Sequence, residues 1–463
     1  MDEAAARRQR VIGAVVGSVV GDALGAPFEF GPPGRFSGRF PAPWRGLETE
    51  MCGGGPWAPG EWTDDTQMAL LVAASLLEGG GLDEADLFDR FRSWVAAGPA
   101  DVGVQTRQVL CSGDGWRDAA RRYFAAGHRA AGNGSLMRTT PAAVFFSRAG
   151  AEATVDAARR ISDLTHGDPA AGDGCAIFHL LVAAALNGGD PLDVLGDALG
   201  CVPADRRGEW QRVLAPEWDP HREPVPNGAV WPTLGTAVWA LRRYSTFESA
   251  MRDVIDVGGD TDTIAAVAGG LLGATYGIQA IPSRWASAVN GVVPGHYPIV
   301  TDLASLQELA LRLDGERPAA EPACTDGVDP VEVAPGLWLT DLDGAARARE
   351  DAVIISLCRT FGRIGHRHRR HVYLTDDGNN LDLDAVLTDV IDAIEALRAE
   401  GHPVVIHCQG GASRTGLVLR AWLCRTQGLT AVQATREAQR LWPRTATWND
   451  SFGSALAKVG STH

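Results

Sequence analysis

The sequence predicts an all-α domain followed by a smaller α/β domain, and three observations predict it. Between about residues 8 and 315 the apolar residues recur at helical spacing and strand-like runs are scarce. From Leu313 to Gly336 the chain is rich in Pro, Ala and acidic residues with little periodicity, the texture of a linker. Beyond it, short β-branched runs alternate with a helical pattern, which calls for a mostly parallel central sheet flanked by helices. The expected division is 8–315, a linker at 316–332, and 333–463, consistent with a length of 463 residues.

Each element follows in order. The first apolar run, "VIGAVVGSVVGDALGAPF", is interrupted by Asp22 and dotted with glycine, so it reads as a buried helix and neither a signal peptide nor a membrane span. "QMALLVAASLLEGG" and "GCAIFHLLVAAALNGG" are alanine-rich, apolar on most sides and closed by glycine, as buried helices are. After the linker, "LWLTD", "DAVIISL", "HVYL" and "PVVIH" are expected strands. Between the last two, Leu383, Val386, Leu387, Val390, Ile391, Ile394 and Leu397 fall on one helical face, with Gly401 as the stop.

The net charge of −15 excludes a general nucleic-acid or anionic-membrane binder. Eight scattered cysteines without a CxxC pair fit reduced thiols and a cytoplasmic setting.

Two acidic clusters stand at helix starts. Thr63, Asp64, Asp65 and Thr66 form one, and Asp260, Thr261, Asp262 and Thr263 the other. Asp and Thr are preferred N-caps, so each cluster alone serves as a cap. A cap needs one oxygen, however, and each cluster offers several. Two such helix starts packed together would bring four carboxylates close, a repulsive arrangement that a hard cation with oxygen ligands relieves. The shortage of histidine here argues against zinc.

"GAVVGSVVGDALGAPFEF", "WTDDTQMAL", "GNGSLMRTTPAAVF", "LTHGDPAAGDGC" and "GGDTDTIAAVAGGLLGATYG", in this order over about residues 10 to 280, resemble the ADP-ribosylglycohydrolase family. The resemblance implies an all-α fold with two Mg²⁺ ions, with Mn²⁺ as an alternative, that removes ADP-ribose from a protein or small acceptor. By position, the implied metal ligands are Thr63, Asp64, Asp65, Asp260, Asp262 and Thr263. Asn133, Gly134 and Ser135 would line the ADP-ribose cleft. His166 would contact substrate or support those that do. Glu29 and Asp101 match proton-handling acids of two branches of the family, so the acceptor stays open.

The second domain holds "PVVIHCQGGASRTGLVLRAWL", where Cys408 precedes Arg414 by six positions between an apolar strand and a helix. Successive loop amides and the helix N-terminus then point at one anion. The same field favours the Cys408 thiolate, and Arg414 can grip two phosphoryl oxygens. Gly410 and Gly411 permit the tight backbone. The stretch resembles the dual-specificity branch of the protein tyrosine phosphatases over about residues 330 to 460. That resemblance implies Cys408 as nucleophile, Arg414 as phosphate clamp and Thr415 as the hydroxyl assisting thiolate departure. It also implies a phosphate cradle from Gln409, Gly410, Gly411, Ala412 and Ser413, and no cofactor. Asp377, with Asp376 as alternative, is the expected general acid. Upstream, Arg359, Arg363, Arg367, Arg369 and Arg370 form either a solvated face or a docking site for further phosphates.

The combined expectation is a bifunctional hydrolase acting on ADP-ribosylated proteins or small molecules and on phosphorylated proteins or nucleotides. The alternative is an inactive ADP-ribose-binding scaffold joined to an active phosphatase.

Overall fold

Five helices carry the argument about the first domain: α1 (Glu3–Gly25), α2 (Asp64–Gly79), α3 (Pro169–Leu186), α4 (Thr261–Tyr276) and α5 (Leu303–Leu313). The structure is a computed structural model that describes residues 1–128, 131–295, 300–317, 321, 325 and 327–459. Among the described residues before Val331, further helices surround these five and no strand forms beyond isolated bridges.

The small residues of α4 have a packing cause. α1 and α4 lie against each other along their lengths, and the contact is backbone to backbone. A Cβ built on Gly13, Gly17, Gly21 or Gly25 would fall 2.3, 2.3, 2.0 and 2.3 Å from the carbonyl oxygens of Gly273, Gly269, Ala265 and Thr261. Thr261 Oγ1 donates to the Gly25 carbonyl at 2.9 Å and pins the close end. We expect Gly17→Val to lower unfolding free energy by about 2–3 kcal/mol through overpacking, read from the urea midpoint. α1 and α3 are long and apolar enough to cross a membrane, but both are mostly buried inside the domain.

In the second domain, β1 (Val331–Ala334), β2 (Leu337–Asp341), β3 (Val353–Ser356), β4 (Arg369–His371) and β5 (Val404–Cys408) form a sheet in the order β1-β2-β5-β3-β4. The pairs β2–β5, β5–β3 and β3–β4 are parallel, and only β1–β2 is antiparallel. Helices α6 (Leu383–Ala399) and α7 (Ser413–Gln427) bury their apolar faces against the sheet. The expected strand "HVYL" is displaced. The strand ends at His371, and beyond it the Tyr373 carbonyl accepts from Gln279 Nε2 of the first domain at 3.1 Å.

The domains share a polar contact. Arg370 is buried and donates to the Arg45 carbonyl at 2.8 Å and to the Gly46 carbonyl. Leu47 N donates to Glu400 at 2.8 Å, and Ser283 N to Asp389 at 3.1 Å. Of the expected linker, residues 318–320, 322–324 and 326 lie outside the described residues, as does 460–463 at the end of the second domain. The described linker residues are tied down: Glu316 pairs with Arg8 at 2.8 Å, and the amides of Gly327 and Val328 donate to Asp341 at 3.0 and 3.1 Å.

Candidate active sites

The first site forms where the starts of α2 and α4 meet. Thr63 caps α2, its side chain accepting from Asp65 N at 3.4 Å, and Asp64 and Asp65 occupy the first turn. Asp260 precedes α4 on a turn that Gly258 and Gly259 enter at φ of 76° and 73°. A Cβ on Gly259 would sit 2.4 Å from Asn227 Oδ1, so the turn needs glycine on both counts. Thr263 Oγ1 donates to Asp65 Oδ1 at 3.4 Å and joins the two clusters directly. Carboxylate oxygens of Glu29, Asp260 and Asp262 all lie within 4.8 Å of one another.

This convergence is electrostatically unbalanced. Burial first, then the neighbouring carboxylates, pushes Asp64 up to about 7 and Glu29 up to about 8. The same causes hold Asp65 and Asp262 well above the usual carboxylate range. Burial also raises Asp260, against the hydrogen bond from Asn133 Nδ2 at 2.8 Å. Asp65 Oδ2 is buried without a partner among the described residues. An orphaned oxygen amid mutually repelling acids fits a site for a hard divalent cation.

Glu29 and Asp101 both face this cluster. Asp101 acts on Asp64, Asp260 and Glu29 through its charge. His166 is buried and hydrogen-bonded to Thr165 Oγ1 at 2.8 Å; burial and Arg138 push it down to about 3, so it is neutral. It packs beneath the Asn133–Ser135 loop, where a Cβ on Gly134 would come 3.0 Å from its ring. The Ser135 side chain departs from the expected cleft-lining place. It is wholly buried, with its hydroxyl accepting from Ser162 Oγ at 2.8 Å, and it supports the loop from below.

The second site lies between β5 and α7. The carbonyls of Gln409, Gly410, Gly411 and Ala412 all accept from outside the loop. Their donors are Leu342 N at 3.1 Å, Arg444 Nη2 at 3.2 Å, Trp442 Nε1 at 2.6 Å and Gly416 N at 2.9 Å. With the carbonyls turned outward, the N–H groups of Gly410, Gly411, Ala412 and Ser413 have no acceptor among the described residues. Gly411 carries the strain: its φ is 64°, and a Cβ would meet the Thr340 carbonyl at 2.8 Å. Gly410 needs no such freedom. Cys408 is buried at the end of β5, and Thr415 and Ser413 have buried hydroxyls without partners among the described residues. His407 donates to or accepts from Ser356 Oγ at 2.7 Å, and burial pushes it down to about 3.

Arg414 Nη1 donates to the carbonyls of Leu357 and Leu374 at 3.0 and 3.3 Å. Its Nε lies 3.6 Å from Asp376 Oδ2, while Asp376 Oδ1 is buried without a partner among the described residues. Asp377, the first choice from the sequence, is exposed and turned away. It accepts from Thr375 Oγ1 and Asn379 N, both at 2.8 Å, and closes a turn. Four of the five arginines of the run are engaged within the protein, and Arg367 is exposed. Arg370 is in the domain contact, Arg359 pairs with Glu308 at 2.6 Å, Arg363 with Glu321 at 2.8 Å, and Arg369 donates to the Ile364 carbonyl at 2.7 Å. A cleft of about 380 Å³ adjoins Arg414 and is walled by both domains, through Arg8, Glu308 and Glu316 on one side and Arg359 and Tyr373 on the other.

Residues 3–322 match the family model described as ADP-ribosylglycohydrolase. The chain belongs to the ADP-ribosylglycohydrolase family. Residues 354–451 match the model of the dual specificity phosphatase catalytic domain. The chain is therefore a bifunctional hydrolase with an ADP-ribosylglycohydrolase domain and a dual-specificity phosphatase domain. It is 34% identical over 296 residues to the ADP-ribosyl-[dinitrogen reductase] glycohydrolase of Rhodospirillum rubrum, covering 61% of this chain and 90% of that protein. It is 31% identical over 292 residues to the ADP-ribosylarginine hydrolase Tri1 of Pseudomonas putida (strain GB-1), covering 60% of this chain and 74% of that one. A solved ADP-ribosylglycohydrolase-related protein complex matches with a TM-score of 0.52 at 34% identity, over 67% of this chain and 98% of its own.

In the ADP-ribosylglycohydrolase domain, sequence reasoning missed two supports. Asp22 on α1 is wholly buried and accepts from Thr63 N and Thr66 N at 3.1 and 3.0 Å and from Thr66 Oγ1 at 2.5 Å, so it fixes the start of α2. Burial, opposed by those bonds, leaves it up at about 6. Asn227 accepts from Asp260 N at 3.0 Å and donates to the Gly258 carbonyl at 2.8 Å. Asp22 had a signal, being the acid inside an apolar helix. Asn227 had none, because its role exists only once the turn is folded.

Proposed function

We propose that the first domain releases ADP-ribose from a modified protein or small acceptor with two Mg²⁺ ions, Mn²⁺ substituting, and that the second hydrolyses phosphomonoesters through Cys408. The convergence of Asp64 and Asp65 with Asp260 and Asp262, with the orphaned Asp65 oxygen among them, carries the first half. Thr63, Asp64, Asp65, Asp260, Asp262 and Thr263 would hold the ions. When bound, these supply positive charge that orients sugar hydroxyls and acidifies water. Asn133 fixes the Asp260 carboxylate, and the amides of its loop suit the pyrophosphate. Glu29, whose carboxylate lies within 4.8 Å of those of Asp260 and Asp262, and Asp101 are the groups placed to move a proton at the glycosidic bond.

In the second domain the inward amides hold the phosphoryl oxygens and Arg414 adds a fork of donors. Cys408 Sγ bonds to phosphorus as the P–O bond to the leaving group breaks, and Asp376 gives its proton to that oxygen. Water then displaces sulfur from phosphorus, its proton passing to Asp376, and inorganic phosphate leaves. The buried Thr415 hydroxyl can donate to the departing thiolate. A phosphorylated protein or nucleotide is the substrate class, and a cytoplasmic setting suits the seven described cysteines, all free.

Arg-linked and Ser-linked ADP-ribosyl compounds, offered with Mg²⁺ and then with chelator, test the first half. Release of ADP-ribose from one of them is expected, and its loss on chelation. Tight binding without release, or release that survives chelation, would favour the scaffold reading or a metal-free mechanism.

A further inference from the structure

The loop that carries Asp376 rests on the other domain. Gln9 of α1 is wholly buried; its Nε2 donates to the Asn379 carbonyl at 2.6 Å and its Oε1 accepts from Leu381 N at 3.0 Å. Gln279, just beyond α4 and also buried, donates to the Tyr373 carbonyl at 3.1 Å and to Asn380 Oδ1 at 2.7 Å. Its own oxygen accepts from Asp382 N at 2.9 Å. Asn380 Oδ1 in turn accepts from Thr375 N at 3.0 Å, immediately before Asp376. The loop is thus gripped at both ends by two amide side chains, each using its donor and its acceptor. Asn and Gln carry both on one planar amide.

We infer that the ADP-ribosylglycohydrolase domain is part of the phosphatase centre, with Gln9 and Gln279 as positioning residues that hold the Thr375–Leu381 loop so that Asp376 meets the site at Arg414. The inference rests on the phosphatase reading proposed above. A proton donor on a loop that samples several conformations acts only in the fraction of molecules where it is aligned. Here that fraction is set by helices of the neighbouring domain. The two helices cannot slide freely, because their glycine faces lock backbone against backbone. The same pair carries the acidic centre at its far end: Gln9 and Asp22 lie on one helix, about 20 Å apart along its axis.

The experiment uses the full-length chain with Gln9→Met, Gln279→Met and both together. These changes keep the bulk and remove both hydrogen-bonding ends. Turnover is measured with nitrophenyl phosphate, whose leaving group departs as an anion, and with phenyl phosphate, whose leaving group needs a proton. The ratio of kcat/KM for phenyl to nitrophenyl phosphate, which reports only the steps up to phosphoenzyme formation, is expected to fall about tenfold in the double variant, part of the roughly 10²–10⁴-fold that general-acid catalysis supplies. Asp376→Asn should shift the ratio in the same direction, and the high-pH limb of the phenyl phosphate profile should flatten in both. An unchanged ratio overturns the inference. So does an equal loss of kcat/KM on both substrates, the mark of a merely structural role. If instead Cys408→Ser leaves turnover of both esters intact, the phosphatase reading itself fails and takes the inference with it.

Discussion

Cys408→Ser abolishes phosphomonoester hydrolysis while ADP-ribose release continues at the parental rate. The loss is expected to be on the order of 10⁴-fold or more, since no other nucleophile is held at the head of the amide-lined loop. The physical argument is geometric. The loop's carbonyls are engaged by Leu342, Arg444, Trp442 and Gly416, so the cradle is built before any phosphate arrives. A serine in place of Cys408 leaves that cradle intact, and the variant should still bind vanadate or phosphate. Binding retained with turnover gone, measured by titration calorimetry beside steady-state kinetics, is the expected pair of results. Turnover within tenfold of the parent would show that the ester is cleaved elsewhere. The separation of the two activities follows from the architecture, because Cys408 and the acidic centre sit in different hydrophobic cores.

Asp65→Ala removes ADP-ribose release by a factor on the order of a hundred or more and removes the response to Mg²⁺. Asp65 is the residue where the two acidic turns touch, through Thr263, and its second oxygen has no partner among the described residues. In the parent chain, added Mg²⁺ should raise the unfolding temperature, by mass action on the folded state alone. In Asp65→Ala that rise should vanish. The metal-free variant should be no less stable than the metal-free parent, since the substitution relieves repulsion among buried carboxylates that hold one another's protons. A variant that melts lower without metal yet still responds to Mg²⁺ would show that Asp65 is a structural acid and that the ions sit elsewhere.

Much of this was legible in the order of residues. The helical spacing before Leu313 and the β-branched runs after Gly336 separate the two architectures, and the run from Cys408 to Thr415 contains its whole cradle within one turn of chain. The acidic turns were legible as pairs of clusters, though each alone fitted a cap. Asp22 was visible as an acid in an apolar helix, without a role. The choice between Asp376 and Asp377 was not legible: the first choice from the sequence, Asp377, proves to close a turn with Thr375 and Asn379, which leaves Asp376 toward Arg414. Nor was the fate of the arginine run, since only the fold shows Arg370 against the carbonyls of Arg45 and Gly46.

By itself, the sequence determined the chemistry held in short stretches: a nucleophile before an anion cradle, oxygen-rich helix starts, and glycine wherever backbone must touch backbone. These depend on neighbours a few residues apart, whose relation is set by covalent geometry and local turn rules. The tertiary structure alone decided which acid faces the clamp, how the two acidic turns meet through Asp65 and Thr263, and that glutamines of one domain hold a loop of the other. Those relations join residues up to hundreds of positions apart, and no local preference encodes them. They exist because burial forces each polar group to find a partner, and the fold determines which partner is within reach.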